Sequence, residues 1–417
     1  MEPSTQSDDP HSAGGRLREC HGCGLVQALP ALPRRSVARC GRCHAVLRRR
    51  RVDPHGRALA MALTGLLLFG VASQEPFMQM DLAGRNSLAD MATGPVQLSA
   101  LGAWPLAVVV LGTTLGAPLL KLLATIYVLL GIRQHHPPRH LRVIFRWVER
   151  LSPWSMVEVF LLGAFVAYTK LIDIAHVEVG PALFALGGLM LTMALTDAVM
   201  DDAAVWDRLM PPVPPAAGPG ALVGCGCCKM VSRVPESGEP IACARCGETL
   251  HRRIQGSLSQ CWALMLAATV LFVPANMLPV MNLVSFGQGR SDTIMSGVVE
   301  LGASGMWPLA ALVFFASILV PVLKLGGMSI LLISTQRRAP GLLAERTLLY
   351  RVVEAVGRWS MIDVFMISIL TALVRLGALA TITPGPGAIC FCAVVVLTMI
   401  AAMRFDSRLM WDAERPA

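Results

Sequence analysis

A seven-residue stretch of this 417-residue chain occurs twice, first as Trp154-Ser155-Met156-Val157-Glu158-Val159-Phe160 and again, 205 positions later, as Trp359-Ser360-Met361-Ile362-Asp363-Val364-Phe365. Further matches surround both copies in the same order, at offsets of 203 or 205. They are Pro76-Phe77-Met78 with Pro279-Val280-Met281, Trp104-Pro105-Leu106 with Trp307-Pro308-Leu309, Pro118-Leu119-Leu120-Lys121 with Pro321-Val322-Leu323-Lys324, and Trp206-Asp207 with Trp411-Asp412. A colinear series of this kind indicates an internal duplication.

The composition indicates a membrane protein. Hydrophobic residues make up 54% of the chain and charged residues 15%, against about 25% charged residues in an ordinary globular protein. The mean hydropathy is +0.58. The apolar residues form blocks that are long enough to cross a bilayer core of about 30 Å, which excludes a soluble or a disordered chain.

Each half contains four such apolar blocks. In the first half they lie at 58–73, 101–132, 154–168 and 181–200, and in the second at 258–284, 305–334, 360–376 and 387–403. The sequence therefore predicts an all-α polytopic membrane protein, built from a duplicated four-helix transmembrane module. Prolines inside several blocks favour kinks, which membrane helices tolerate when neighbouring groups satisfy the freed carbonyls.

The charges of the connecting loops predict the orientation. Residues 133–150 hold five Arg and one Glu, and residues 334–358 hold five Arg and two Glu, whereas residues 73–100 and 285–304 are net acidic. Because basic loops stay in the cytosol, we expect both basic loops, both termini and both cysteine-rich segments there. The polar first residues lack the pattern of a signal peptide.

These observations predict seven segments. They are a disordered N-terminus (1–15), a first zinc ribbon (16–50), a first transmembrane module (51–208), a Pro-rich linker (209–220), a second zinc ribbon (221–255), a second transmembrane module (256–411) and a tail (412–417).

Eight of the 12 cysteines follow the spacing of metal ligands. They are Cys20, Cys23, Cys40 and Cys43 in the first set and Cys225, Cys228, Cys243 and Cys246 in the second. Two CxxC pairs per set favour two structural zinc sites with four thiolates each; dithiol redox chemistry or an iron site is the alternative. His21, His44 and the extra Cys227 are interpreted as neighbours of the ligands, because each set already supplies four sulfurs.

A run of arginines accompanies the first cysteine set, and zinc ribbons often bind nucleic acid. The run directly adjoins an apolar block, however, where basic residues hold the topology and contact anionic lipid. We therefore predict contact with the membrane and no nucleic-acid partner.

Ionisable residues recur inside the apolar blocks, where a charge costs about 2.5 to 3.5 kcal/mol near the bilayer centre. Lys121 and Lys324 are equivalent, and we expect the equivalent acids Glu158 and Asp363 to be their partners. The same group of candidates also includes Ser155, Ser360, Lys170 and Arg375, the counterpart of Lys170. Asp173 is an acid near Lys170. Two interpretations stay open: buried ion pairs that hold helices together, or a polar site that binds a headgroup or changes protonation.

Motifs of conventional enzymes are absent from the sequence. It has no Walker loop, no G-x-S-x-G elbow and no H-E-x-x-H pair. We expect no enzymatic activity.

The duplicated CxxC pairs, the Trp-Pro-Leu and Pro-x-Leu-Lys motifs and the repeated heptapeptide together resemble the paraquat-inducible protein A family of Gram-negative inner-membrane proteins. The resemblance implies two cytosolic zinc ribbons and a periplasmic MCE-domain partner that forms a tunnel across the envelope. It also implies that phospholipid or other lipophilic molecules move between the inner and outer membranes. A metal- or redox-responsive membrane receptor or scaffold, and a stand-alone ion or solute carrier, remain the alternatives.

Overall fold

The structure is a computed structural model. It describes residues 16–30, 32–33, 35–51, 53–82, 85–134, 137–172, 176–215, 218–235, 241–285, 288–339, 341–374 and 380–412.

Four membrane-spanning segments form the first half. Its helices are α1 (Pro54–Gln74), α2 (Thr93–Ala100), α3 (Trp104–Leu111), α4 (Ala117–Gly131), α5 (Leu141–Leu151), α6 (Val157–Leu171), α7 (Pro181–Val199) and α8 (Asp202–Leu209). Helices α3 and α4 run on through a π-helical turn and make one long span. In the third candidate span, Leu141–Leu171, a 3₁₀ turn and the non-helical residues Ser155 and Met156 separate α5 from α6.

The second half repeats this order. Its helices are α9 (Ser257–Met277), α10 (Ile294–Ala303), α11 (Trp307–Phe314), α12 (Val320–Gln336), α13 (Leu343–Gly357), α14 (Ile362–Leu373), α15 (Pro386–Arg404) and α16 (Arg408–Trp411). Eight spans are therefore present in the described part of the chain, which confirms the predicted duplicated four-helix architecture. The first basic loop, residues 133–150, is partly helical. Its helix α5 buries Leu141, Phe145 and Val148 at the spacing of an amphipathic helix.

Short antiparallel strands complete the fold at both ends of the helices. Two-stranded hairpins make the first cysteine module (residues 16–50) and the second (residues 221–255). Their strands are β1 (Arg16–Glu19), β2 (Val26–Leu29), β3 (Val37–Arg39) and β4 (Val46–Arg49), with β8 (Ala221–Gly224), β9 (Val231–Val234), β10 (Ile241–Ala242) and β11 (Thr249–Leu250) in the second module. The end of the bundle that carries these modules is called the ribbon side below.

Two three-stranded sheets lie at the other end, the sheet side. Their orders are β6-β5-β7 and β13-β12-β14. The strands are β5 (Met78–Leu82), β6 (Arg85–Ala89) and β7 (His176–Val179), with β12 (Met281–Ser285), β13 (Gln288–Asp292) and β14 (Ala380–Pro384) in the second half. These sheets were not predicted, because β5 pairs with β7 across more than half of the first transmembrane module and such pairing leaves no local pattern.

A widened turn interrupts the second span of each half. The π-helical segments Gly112–Gly116 and Phe315–Leu319 occupy equivalent positions, just before Pro118 and Pro321. Proline has no N–H to donate to the carbonyl four residues earlier, and a π-turn lets the following residues rejoin the hydrogen-bonded ladder. The prolines of the repeated motif thus place the same irregular turn in both halves.

The two halves meet along α6 and α14, the helices that begin within the repeated heptapeptides. Gly163 of α6 lies against the Ile362 carbonyl and Phe365, and the rings of Phe160 and Phe365 pack edge to face with centroids 5.8 Å apart. Every residue of α14 is buried. The heptapeptides therefore lead into the contact that joins the halves.

The first cysteine module docks mainly on the second half. The Ser407 hydroxyl donates to the His21 carbonyl at 3.2 Å, and Arg351 donates to the Cys43 carbonyl at 3.3 Å. Arg408 bridges Glu19 of the module, at 3.1 Å, and its own neighbour Asp406, at 2.9 Å. The four cysteines also share one hydrophobic cluster with Met410, Trp411 and residues of α12 and α13.

The second cysteine module docks on the first half. Arg245 pairs with Asp207 of α8 at 2.7 Å, and Glu248 accepts from Arg146 and Arg150 of α5 at 3.2 and 2.6 Å. Burial raises the pKa of Asp207, but hydrogen bonds from Arg245 and Arg16 outweigh burial and hold that pKa below its ordinary value. The docking of the two modules is therefore crossed.

The modules also contact each other and share one anchor. The backbone N–H of Gly224 donates to the Glu19 carboxylate, which joins the second module to the first. Arg16 and Arg48 of the first module reach Asp207, the same carboxylate that holds the second module. Both modules thus form one layer over the ribbon side.

We predict that Gly163→Leu weakens the junction of the two halves. A Cβ at Gly163 would lie 3.0 Å from the Cβ of Phe365 and 3.3 Å from the Ile362 carbonyl oxygen, and such overpacking costs about 1 to 3 kcal/mol. The unfolding temperature in detergent should fall. Gly187→Leu on α7 is the matched control, since a Cβ there meets no atom within 4 Å. Equal losses in both variants would contradict the close contact at Gly163.

We also predict that the crossed docking is visible by hydrogen exchange. Cys20→Ser with Cys23→Ser should raise exchange in α13 and α16 by about tenfold, the factor that matches about 1.4 kcal/mol of opening free energy. The matched pair Cys225→Ser with Cys228→Ser should act on α5 and α8 instead. If each pair loosens only the transmembrane module that directly follows it in the sequence, the crossed arrangement is wrong.

Candidate metal centres and buried polar sites

Four similar turns present the eight cysteines. In each, the N–H of the first cysteine donates to the carbonyl five residues later, as from Cys20 to Leu25 at 2.9 Å and from Cys243 to Glu248 at 2.7 Å. The residue after the second cysteine has a positive φ in all four turns: Gly24, His44, Lys229 and Gly247. Glycine meets this requirement in two turns, and His44 and Lys229 meet it in the other two at a cost in backbone strain.

Each module brings its four sulfurs together. The Sγ atoms of Cys20 and Cys43 are 3.4 Å apart and those of Cys23 and Cys40 3.6 Å, with 3.4 and 3.6 Å for the matching pairs of the second module. All four sulfurs of a cluster lie within 4.8 Å of one another. A tetrahedral ion with metal–sulfur bonds of about 2.3 Å requires sulfur separations of about 3.8 Å, so both clusters fit such an ion.

The sulfurs are buried free thiols rather than disulfides. Both clusters can therefore hold a metal ion, as the sequence predicts. His21 and His44 have exposed side chains, and the half-buried Cys227 stands outside the second cluster. Four protein ligands close the coordination sphere, which suits a structural centre rather than a catalytic one.

The expected pair of Lys121 and Glu158 is not formed. Lys121 Nζ instead donates to Asp197 Oδ2 of α7 at 2.7 Å and to Ser152 Oγ at 3.1 Å. Glu158 accepts from Arg358 of the second half at 3.4 Å, with 41% of its side chain exposed. The pairing was wrong because Asp197, the acid near the end of α7, lies closer to Lys121.

The expected pair of Lys324 and Asp363 is not formed either. Lys324 is 1% exposed, and its Nζ donates to Thr398 Oγ1 at 2.9 Å and to the Gly357 carbonyl at 3.5 Å. Within the described ranges it has no acidic partner. The α15 position that matches Asp197 at an offset of 205 is Ala402, so the second half lacks the acid that Lys121 uses.

Asp363 instead faces a cavity between the halves. It is 5% exposed, and both carboxylate oxygens are buried with no hydrogen-bond partner among the described residues. The cavity measures about 30 Å³ and is also lined by Lys170 of α6, Ser317 of the π-helical segment and Asp292 of β13. This volume suffices for a water molecule.

Two further candidates are the equivalent serines of the heptapeptides. The hydroxyls of Ser155 and Ser360 are buried, at 5% and 1% residue exposure, and have no hydrogen-bond partner in the described part of the chain. Arg375 and Asp173 lie outside the described residues.

The buried polar groups can bind or exchange a proton or a small polar ligand, because a buried carboxylate with unmet hydrogen-bonding capacity is costly. Sequence reasoning missed Asp197, Thr398, Ser317 and Asp292 as members of these sites. A lone acid in the last turns of an apolar block was a signal for Asp197. Ser317 and Thr398 gave none, since hydroxyl residues are common in membrane helices.

Comparison with known proteins covers nearly the whole chain. The model of the family described as paraquat-inducible protein A matches residues 56–210 and 258–414, one match in each half. No solved structure matches the chain significantly.

The curated relatives are named for intermembrane transport or for an envelope-spanning tunnel. The chain is 35% identical to lipophilic envelope-spanning tunnel protein A of Escherichia coli, across 96% of this chain and 92% of the relative. It is 34% identical to intermembrane transport protein PqiA of Escherichia coli, across 95% of each chain, and 27% identical to a probable intermembrane transport protein of Haemophilus influenzae, across 98% of each. The chain therefore belongs to the paraquat-inducible protein A family.

Proposed function

We propose that this chain is the inner-membrane subunit of an envelope lipid-transport system. It works with a periplasmic MCE-domain tunnel protein and moves phospholipid or other lipophilic molecules between the inner and outer membranes. The observation that carries the proposal is the similarity, along both halves, to relatives named for intermembrane transport and for a lipophilic envelope-spanning tunnel. The names of the relatives describe transport rather than enzymatic activity, which agrees with the lack of catalytic motifs.

In the proposed orientation, the ribbon side faces the cytosol and the sheet side faces the periplasm. The arginine-rich loops at 133–150 and 334–358 support this orientation through the positive-inside rule. Two clusters of free thiols also belong in a reducing compartment. The sheets β6-β5-β7 and β13-β12-β14 would then meet the periplasmic partner.

The proposed metal is zinc, one ion in each cysteine module. Four thiolates at tetrahedral spacing favour zinc over harder divalent ions. When bound, zinc supplies structural cross-linking of a module that is too small to have a core of its own. The chain's own residues then hold the modules against the helices through Asp207, Arg351 and Arg408.

The proposed transport site consists of the buried polar groups near the α6–α14 junction. Lys170 belongs to the first half, whereas Asp363, Ser317 and Asp292 belong to the second, so movement between the halves would change the water content of their cavity. A carboxylate that gains or loses water changes its preference for a proton. The same movement would change the surroundings of five further candidates on the ribbon side of this cavity: Lys121, Lys324, Ser155, Ser360 and Glu158. Arg375 stays a candidate only because its position in the second half is equivalent to that of Lys170 in the first.

A stand-alone ion carrier is the second candidate function. It is favoured by the buried and unpaired carboxylate of Asp363. Transport of an ion by the purified chain alone in liposomes would support it, whereas lipid transfer that requires the MCE-domain partner supports the main proposal.

We predict that Asp363→Asn abolishes complementation of a strain that lacks this protein. Neutralising Asp363 removes the one charged group of α14 that faces the cavity without a partner among the described residues. Protein level and recovery of an MCE-domain protein and phospholipid on native purification should stay nearly unchanged, as measured by immunoblot and mass spectrometry. Glu345→Gln, at an exposed acid on α13, is the control and should complement fully.

Two outcomes would overturn this role. If the Asp363→Asn protein fails to accumulate, or if Asp363→Leu combined with Lys170→Leu restores full function, the buried charges are structural. A native preparation that contains no MCE-domain protein and no phospholipid would contradict the transport proposal itself.

We predict close to two metal ions per purified chain, mostly zinc, one for each of the two clusters. Cys20→Ser with Cys23→Ser should lower the content to about one ion, because metal binding and folding are coupled in such modules. Elemental mass spectrometry measures the content. Protein purified without chelator that holds no metal and has eight freely reactive thiols would contradict the assignment.

A further inference from the structure

Five arginines surround one pocket on the ribbon side of the first half. The pocket measures about 340 Å³ and lies between the first cysteine module, the start of α1 and the end of α7. Its arginines are Arg35, Arg49, Arg50, Arg51 and Arg57, and Val199 is its apolar wall from α7.

The charge of this pocket is not balanced by the protein. Among the residues that the structure describes, Arg50 donates to the Leu32 carbonyl at 2.5 Å, and none of the five arginines forms an ion pair. Asp53 is the acid nearest in the chain, and its carboxylate caps α1 by accepting from Gly56 at 3.3 Å. Five guanidinium groups around one pocket repel one another, so the site favours an anionic ligand.

The pocket is specific to the first half. At offset 203, the positions of Arg49, Arg50, Arg51 and Arg57 are taken by Arg252, Arg253, Ile254 and Gln260. Arg253 is neutralised by Asp412, with contacts of 2.7 and 2.5 Å. Because the second half crosses the membrane with the same topology without this cluster, orientation alone does not require it.

The pocket lies where lipid headgroups lie. Helix α1 begins at Pro54, three residues after Arg51, and α7 ends at Val199. Leu195 and Leu191 precede Val199 at helical spacing and are 39% and 56% exposed. An apolar stripe thus leads from the pocket along the membrane-facing surface of α7.

We propose that this pocket binds the headgroup of a phospholipid that carries two phosphates, such as cardiolipin, with its acyl chains along the α7 stripe. Guanidinium groups bind phosphate oxygens through paired N–H donors, and basic pockets beside membrane helices bind such headgroups. The proposal goes beyond the proposed function, because the lipid is a bound constituent of the first half rather than transported cargo.

The test is lipid binding by the full chain in detergent, measured by native mass spectrometry with cardiolipin and with phosphatidylcholine. Cardiolipin should bind more tightly, and binding should weaken with salt. The triple variant Arg49→Gln, Arg51→Gln and Arg57→Gln should lose about 100-fold in cardiolipin affinity, about fivefold per arginine. Arg252→Gln, at the exposed position equivalent to Arg49, is the control and should bind like the unaltered chain.

The remaining arms separate the lipid from a free anion. Inorganic pyrophosphate should compete only weakly, since it lacks acyl chains; binding as tight as that of cardiolipin would overturn the lipid assignment. Equal affinity for the two lipids, or an unchanged triple variant, would overturn the pocket. If the triple variant does not fold, Arg57→Gln alone, at an exposed position of α1, should still lower cardiolipin affinity about fivefold.

Discussion

The close packing of α6 against α14 holds the two halves of the helical bundle together. It is possible because Gly163 lets the backbone of one helix approach Phe365 and the Ile362 carbonyl of the other. In a bilayer, helices gain little from the hydrophobic effect and associate through such close packing of small residues. The buried α14, the cavity at Asp363 and the ion pair of Glu158 with Arg358 all lie along this junction.

Residues at equivalent positions of the two halves lie in different environments. Glu158 is partly exposed and paired, whereas Asp363 is buried and unpaired in the described structure. Lys121 has an acidic partner, whereas Lys324 has a threonine and a carbonyl. If the two sites were symmetric, both would respond alike to a movement between the halves. In the proposed transport cycle, the first half would act as a scaffold and the second half would carry Asp363 and Lys324, which have no ionic partner among the described residues.

The contacts of the two cysteine modules extend across the whole ribbon side. The first module is held by α13 and α16 of the second half, and the second by α5 and α8 of the first. Both reach Asp207. If each module binds its proposed zinc ion, metal binding and folding of the module are coupled, and loss of either ion would loosen helices that lie far away in the sequence. The modules thus couple the two halves at one end, and the α6–α14 contact couples them within the membrane.

Local spacing in the sequence is sufficient to predict the duplication, the eight spans and the two cysteine clusters, because these features depend on apolar blocks, CxxC turns and repeated motifs. The folded chain was needed to identify the partners of Lys121 and Lys324, the sheets on the sheet side and the crossed docking of the modules. These features depend on which side chains meet across long stretches of chain. Repeat equivalence paired Lys324 with Asp363, but helix rotation and packing brought Thr398 to the ammonium group instead.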